Sequence, residues 1–313
     1  MRAPRELPTL IVILLFCAGL ALFVPAFRTH DNLTAVGENA AFIGIMACGE
    51  GLVILGAGLD LSVGSAMALS SCTMAMVLLT GKSWPLAAAA GLAVGAAAGL
   101  VNGLFITYRK LPPILTTLAT LLLFRHGISL ATQAKTYGPF PDAFNIIGAG
   151  WVPFVVFVMI AAAATITVGK THIGRWTLAM GGSEQSARLS AVPVNRVRLL
   201  AYVASGTCAA IAGWIVMAFN NNTQSGVGQG YELSVIAACV VGGIKITGGD
   251  GSLAGAALGA VLIALLRDAL ILTGRPENQT GLFTGAVILI AALIEGWRSR
   301  TRAKHRAGAE VPA

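Results

Sequence analysis

A chain of 313 residues would suit one or two water-soluble domains, but 56% hydrophobic residues against 11% charged ones leave far too little polar surface for that. The mean hydropathy of +0.79, with apolar runs near the roughly 20 residues a helix needs to cross a bilayer, points to an all-α polytopic membrane bundle. The net charge of +8 raises nucleic acid as a partner, and the distribution of the cations over the loops argues against it.

The first apolar run, Leu7 to Phe27, follows Arg2 and Arg5. It is too long for the apolar region of a signal peptide and no Ala-x-Ala site follows, so it reads as an uncleaved span near 8–27. Further spans are predicted near 35–58, 62–80, 85–106, 112–133, 151–169, 199–219, 231–247, 252–273 and 281–297, about ten transmembrane helices in all. The second, fifth and eighth carry an ionisable residue or an internal Pro or Gly, which marks them as candidates for broken or re-entrant helices. Five cysteines (Cys17, Cys48, Cys72, Cys208 and Cys239) lie inside apolar runs without ligand spacing and read as small core or lipid-phase residues.

Loop charge tests this layout independently. With the N-terminus in the cytoplasm, fifteen of the 21 Lys and Arg fall on inner segments. Only Arg28, Lys82, Lys135 and Arg275 fall outside, and Arg125 and Arg267 lie within spans. Both termini then face the cytoplasm. The chain reads as one transmembrane domain, 1–313, whose basic tail, 298–313, suits membrane lipid of an anionic leaflet. The longest inner loop, Lys170 to Arg198, is too short for a soluble domain, so any energy source resides on another chain.

Gly81-Lys82-Ser83 and Gly169-Lys170-Thr171 resemble phosphate loops, but the required earlier glycine is replaced by Met76 and Ala164. The four histidines (His30, His126, His172 and His305) are scattered, and no hydrolase or metal motif is present. No catalytic or metal-ligating set is expected, and the chain reads as a non-enzyme that binds no cofactor of its own.

Within the spans, Gly91, Gly95, Gly99 and Gly103 form a smooth stripe on one helix, and Gly251, Gly255 and Gly259 repeat the device. Such stripes serve close helix packing or a sliding face. Ionisable groups at depth need a partner, a wet cavity or a purpose. Arg267 and Asp268 each point to a partner on another helix, Glu38 and Glu50 do not share one face, and Arg125 and Glu50 form a candidate interhelical pair. Candidates to line a polar path are Glu50, Asp60, Ser62, Asn102, Thr116, Thr117 and Arg125. The segments from Gly56 to Ser65 and from Gly242 to Ser252 break the apolar pattern with Gly, hydroxyls and one Asp each, so their backbone is buried in protein or faces water. In the long inner loop, Ser183 is a candidate N-cap, Glu184 faces Arg188 one turn on, and Pro193 ends the segment. The resulting short helix is either a solvated elbow or a lever for a cytoplasmic partner.

Four strings carry a resemblance to the membrane subunits of bacterial ABC importers for sugars, of the ribose-transporter permease type. They are Gly58-Leu59-Asp60-Leu61-Ser62-Val63-Gly64-Ser65, Asn102-Gly103 with Leu111-Pro112-Pro113-Ile114 to Phe124-Arg125, Gly174-Arg175 through Ala187-Arg188-Leu189-Ser190, and Gly230-Tyr231-Glu232-Leu233 through Gly248-Gly249-Asp250-Gly251-Ser252. The resemblance implies a multi-pass protein of the bacterial inner membrane that pairs with a second permease subunit, same or homologous. A periplasmic solute-binding protein delivers cargo, a monosaccharide or a related polyol or furanose, and separate cytoplasmic ATP-binding subunits hydrolyse ATP. It also implies that Gly181, Gly182, Glu184, Ala187, Arg188 and Leu189 belong to the coupling helix that docks on the ATPase. The chain departs from the family pattern at Ala191, where Gly is usual, at Asp250, and at His126, which replaces a Gly. The rival readings are an ion-coupled secondary carrier, which also uses broken helices, and an amino-acid permease of related architecture.

Overall fold

The computed structural model describes residues 6–274 together with 281, 282, 285, 286 and 289. The span near 281–297, the basic tail and the sidedness of the C-terminus therefore lie wholly or mostly outside the described residues. The helices, in chain order, are α1 (Leu7–Phe23), α2 (His30–Leu55), α3 (Val63–Leu79), α4 (Trp84–Tyr108), α5 (Pro113–Thr132) and a single turn α6 (Asp142–Asn145). They continue with α7 (Val152–Lys170), α8 (His172–Gly182), α9 (Glu184–Leu189), α10 (Val194–Asn220), α11 (Tyr231–Val241) and α12 (Leu253–Leu272). No strand occurs among the described residues; Tyr137 and Thr223 form an isolated bridge.

Six of these helices (α2, α4, α5, α7, α10 and α12) are long and apolar enough to cross a membrane, while α1, α3 and α11 are shorter apolar helices. Nine of the ten expected spans thus coincide with helices, with one correction. The span expected over 231–247 stops at Val241, because Gly242 and Gly243 break the helix and the apolar Ile244 and Ile246 belong to the loop beyond. At 1.5 Å per residue α11 reaches about 16 Å, half of a hydrocarbon core of about 30 Å.

Pro residues occupy the first turn of α1, α4, α5 and α7, where a missing N–H costs nothing. Thr29, Thr171 and Ser252 cap α2, α8 and α12 with their side-chain oxygens. α2 sits at the centre, packed by α7, α10, α11 and α12. Small residues permit this: a Cβ on Gly44 would overlap the Phe157 ring, and one on Gly49 would meet the backbone of Ser205.

The glycine stripe of α4 meets α10 backbone to backbone. A Cβ on Gly99 would overlap the Tyr202 carbonyl, and one on Gly206 would overlap the Gly95 carbonyl. Gly255 and Gly259 of α12 bring that helix onto Gly242 and Ala238 in the same way. Gly91 instead meets the Met74 side chain of α3 and Gly251 stands in the loop before α12, so the backbone seams are made by Gly95, Gly99 and Gly206 and by Gly255 and Gly259, held by dispersion at close approach. α5 and α7 keep broad apolar faces uncovered, Leu115, Leu122, Leu123 and Leu130 on α5 among them.

Candidate translocation and coupling site

The broken backbone between α2 and α3 places Asp60 where four helices converge. Asp60 is 1% exposed and is ringed by donors: the Ser62 amide at 3.0 Å, Ser62 Oγ at 2.6 Å, Ser205 Oγ of α10 at 3.0 Å and Asn102 Nδ2 of α4 at 3.4 Å. Asn102 also donates to Ser62 Oγ at 2.7 Å and accepts from Thr120 Oγ1 of α5 at 2.7 Å. Thr117 Oγ1 donates to the Leu59 carbonyl at 3.3 Å, and Glu50 Oε1 of α2 accepts from the Asp60 amide at 3.0 Å. The irregular backbone thus finds side-chain partners, as buried polar groups must. Among the residues expected along a polar path, Glu50, Asp60, Ser62, Asn102 and Thr117 form one knot. Thr116, next to it, returns its hydroxyl to the Pro112 carbonyl. Thr120 and Ser205 complete the knot; Thr120 is three residues from Thr117 on α5, a spacing that marks a shared face.

Arg125 stands apart from the knot, about 7.5 Å along α5 beyond Thr120. Its guanidinium donates to the Ser225 carbonyl at 2.7 Å and the Val227 carbonyl at 2.5 Å. The expected Arg125–Glu50 pair is corrected: Arg125 commits its guanidinium to these two carbonyls, and Glu50 turns to the Asp60 amide. The residues Arg125 grips belong to a segment that dips into the bundle. Thr223 donates to Ser71 Oγ of α3 at 3.0 Å, while Gly228 presses on Gly64 two turns nearer the α9 end. Residues 223–230 therefore run alongside α3 and lead into the half-length α11. Irregular backbone at such depth must be covered by protein or line a cavity, and Arg125 supplies part of that cover. Asp268 of α12 finds the partner expected of it on another helix, accepting from Asn32 Nδ2 of α2 at 3.0 Å. His126 is exposed on the outer face of α5.

At one end of the bundle the two glycine-rich loops meet. The Gly249 amide donates to the Leu55 carbonyl at 2.9 Å, Gly248 lies on Ala57, and Lys245 pairs with Asp250 at 2.6 Å. Gly181 at the end of α8 closes over this junction; a Cβ there would overlap the Leu55 carbonyl. Beyond it α9 forms as the sequence predicts. Ser183 accepts from the Ser186 amide at 3.2 Å, and Arg188 donates to Glu184 at 2.8 and 3.0 Å. Sequence spacing misses the second partner of Glu184, Arg198 of α10, which ties α9 to the following long helix. Burial alone would raise the Glu184 carboxyl, and the guanidiniums of Arg188 and Arg198 outweigh it, holding it below the usual carboxylate range. Of the six residues expected to couple, Gly182, Glu184, Arg188 and Leu189 reach the surface, Leu189 being 83% exposed. Ala187 is buried against Met180, Val194 and Val197, and Gly181 faces the two loops.

Residues 33–292 match the family described as branched-chain amino acid transport system / permease component. The chain is 34% identical to the ribose import permease protein RbsC of Escherichia coli (strain K12), over 93% of each chain. It is 33% identical to the L-arabinose transport system permease protein AraH of the same organism, over 94% of this chain and 91% of that one. It is also 33% identical to the autoinducer 2 import system permease protein LsrC of Photorhabdus luminescens, over 93% of this chain and 90% of that one. No solved structure matches the chain. With six helices of membrane-spanning length among the described residues, the protein is a multi-pass component of the bacterial inner membrane and a permease rather than an enzyme. The chain belongs to the family of membrane permease components of ABC import systems.

Proposed function

We propose that the chain forms the translocation path of an ABC importer for a monosaccharide or a related polyol or furanose. Its relatives carry this reading of the cargo, since they are named for ribose, L-arabinose and autoinducer 2 and align with nearly the whole chain. The family description names branched-chain amino acids, but none of these three relatives is named for one. The chain acts as one transmembrane domain of about ten spans with both termini in the cytoplasm, beside a second permease subunit. A periplasmic binding protein delivers cargo and separate ATPase subunits supply the energy.

The observation that supports the coupling role is the construction of α9: a capped helix with an exposed Leu189, fixed to α10 through Glu184 and Arg198 and following directly on α8, whose Gly181 closes over the junction of the two glycine-rich loops. ATPase closure pushes this elbow, and α10 carries the displacement toward the Asp60 knot through Ser205. The knot stiffens the wall of the path; its members are buried within the chain and bonded to one another, with Glu50 Oε2 the one carboxyl oxygen of the knot that has no partner among the described residues. The test is reconstitution with the cognate ATPase and binding protein. Glu184→Ala and Arg188→Ala should insert normally yet reduce ATPase capture and cargo-stimulated hydrolysis. Unaltered coupled hydrolysis in both variants contradicts the coupling role, and ion-gradient-driven uptake by the subunit alone would restore the carrier reading.

A further inference from the structure

A cavity of about 710 Å³ opens beside α9, within the range of small-molecule sites, about 300–1,000 Å³. Its walls come from the end of α2, the α4–α5 turn, α8, α9 and α10. Two properties of its lining bear on what it holds. First, the charge on its lining is unbalanced: Lys110, Arg188 and Arg198 against Glu184 alone. Glu184 serves both arginines, and Lys110 has no ion pair among the described residues. Second, polar capacity on its wall is unspent. Thr107 is 4% exposed and its hydroxyl has no hydrogen-bond partner among the described residues, whereas Thr116 on the facing helix returns its own to the Pro112 carbonyl.

We infer that this cavity is a binding site for a phosphate ester, held by Lys110 with Arg188 and Arg198 at its rim. Guanidinium and ammonium groups are the side chains that recognise phosphate, the former through paired N–H donors. The apolar part of the wall, Val53, Ile106, Leu111 and Met180 among it, accommodates the body to which the phosphate is attached. Two sources share this chemistry, an anionic lipid headgroup and a soluble sugar phosphate; basic pockets between membrane helices commonly take the first. Either ligand competes with Glu184 for the two arginines, so occupancy loosens the tie between α9 and α10. This goes beyond the importer reading, because binding to the permease chain alone does not require that α9 docks on an ATPase.

The full chain in nanodiscs provides the test, with thermal midpoint as the readout. Wild type is compared in phosphatidylcholine, in phosphatidylcholine with phosphatidylglycerol, and in phosphatidylcholine with millimolar pentose 5-phosphate. Stabilisation by phosphatidylglycerol alone assigns the lipid, and stabilisation by the sugar phosphate alone assigns the metabolite. In either case Lys110→Gln should weaken the response at least tenfold in ligand concentration and Thr107→Val severalfold. A midpoint in plain phosphatidylcholine that equals the wild-type value shows that the variants fold. Equal responses from wild type and Lys110→Gln, no response to either ligand, or protection of the thiol of Lys110→Cys only on addition of the ATPase subunit would each overturn the proposal.

Discussion

Asp60 and Glu184 are both carboxylates that hold the ends of helices together, and they do so in opposite ways. Asp60 is sealed in the bundle and satisfied by a backbone amide, two hydroxyls and a carboxamide. Glu184 is half exposed and held by two guanidiniums. A buried carboxyl surrounded by neutral donors fixes geometry, because any one of them left unpaired is costly. An ion pair open to water is worth about 0.2–1 kcal/mol and breaks cheaply. The knot is the part of the chain that keeps its shape, and the elbow is the part that can change partners.

Asp60→Ala attacks this contrast at its stronger end. It strands the Ser62 amide, Ser205 and Asn102 in the interior, a loss on the order of 3 kcal/mol or more. The measurement is thermal midpoint and yield of monodisperse protein in detergent; Asp60→Asn, which keeps one acceptor, should fall between. Arg125→Met comes next, uncovering the Ser225 and Val227 carbonyls at a cost of about 2–3 kcal/mol. Thiol labelling of a Ser225→Cys reporter should accelerate in that background, and unchanged labelling would separate Arg125 from the dipping segment.

At the elbow the effect is smaller and depends on pH. Glu184 is held below its ordinary range in the folded chain, so its contribution is complete above the unfolded-state value and disappears as pH falls through the depressed folded value. Protease access to α9 should therefore rise in that acidic window for wild type and stay flat for Glu184→Gln. The smallest effect expected is at Ala191, which stands at φ 59° just after α9. Ala191→Gly relieves the left-handed strain and should raise the thermal midpoint by the equivalent of about 0.5–1 kcal/mol, net of the entropy that glycine adds to the unfolded chain.

Local signals carried well from sequence to structure. Apolar length located the helices, and the Ser183 cap and the Glu184–Arg188 spacing located α9, because each depends on residues within a turn or two of one another. The same reading foresaw that the backbone from 56 to 65 and from 242 to 252 must be buried or wet, but not that the two loops would meet. Nothing in the string Thr223-Gln224-Ser225-Gly226-Val227-Gly228-Gln229-Gly230 distinguishes a deep segment from a surface turn, since both favour small polar residues. Its depth is set by Ser71, Gly64 and Arg125, far away in the chain. Arg198 was missed for the same reason: fourteen residues from Glu184, it arrives only because Pro193 turns α10 back along α9.

The glycine seam between α4 and α10 constrains how any stroke travels. With carbonyls of one helix resting against the backbone of the other, there is no cushion of side chains to absorb shear. Under the proposed coupling role the two rods would advance as a single plank whose near edge is the elbow, with relative motion left to neighbours joined through softer, bulkier contacts.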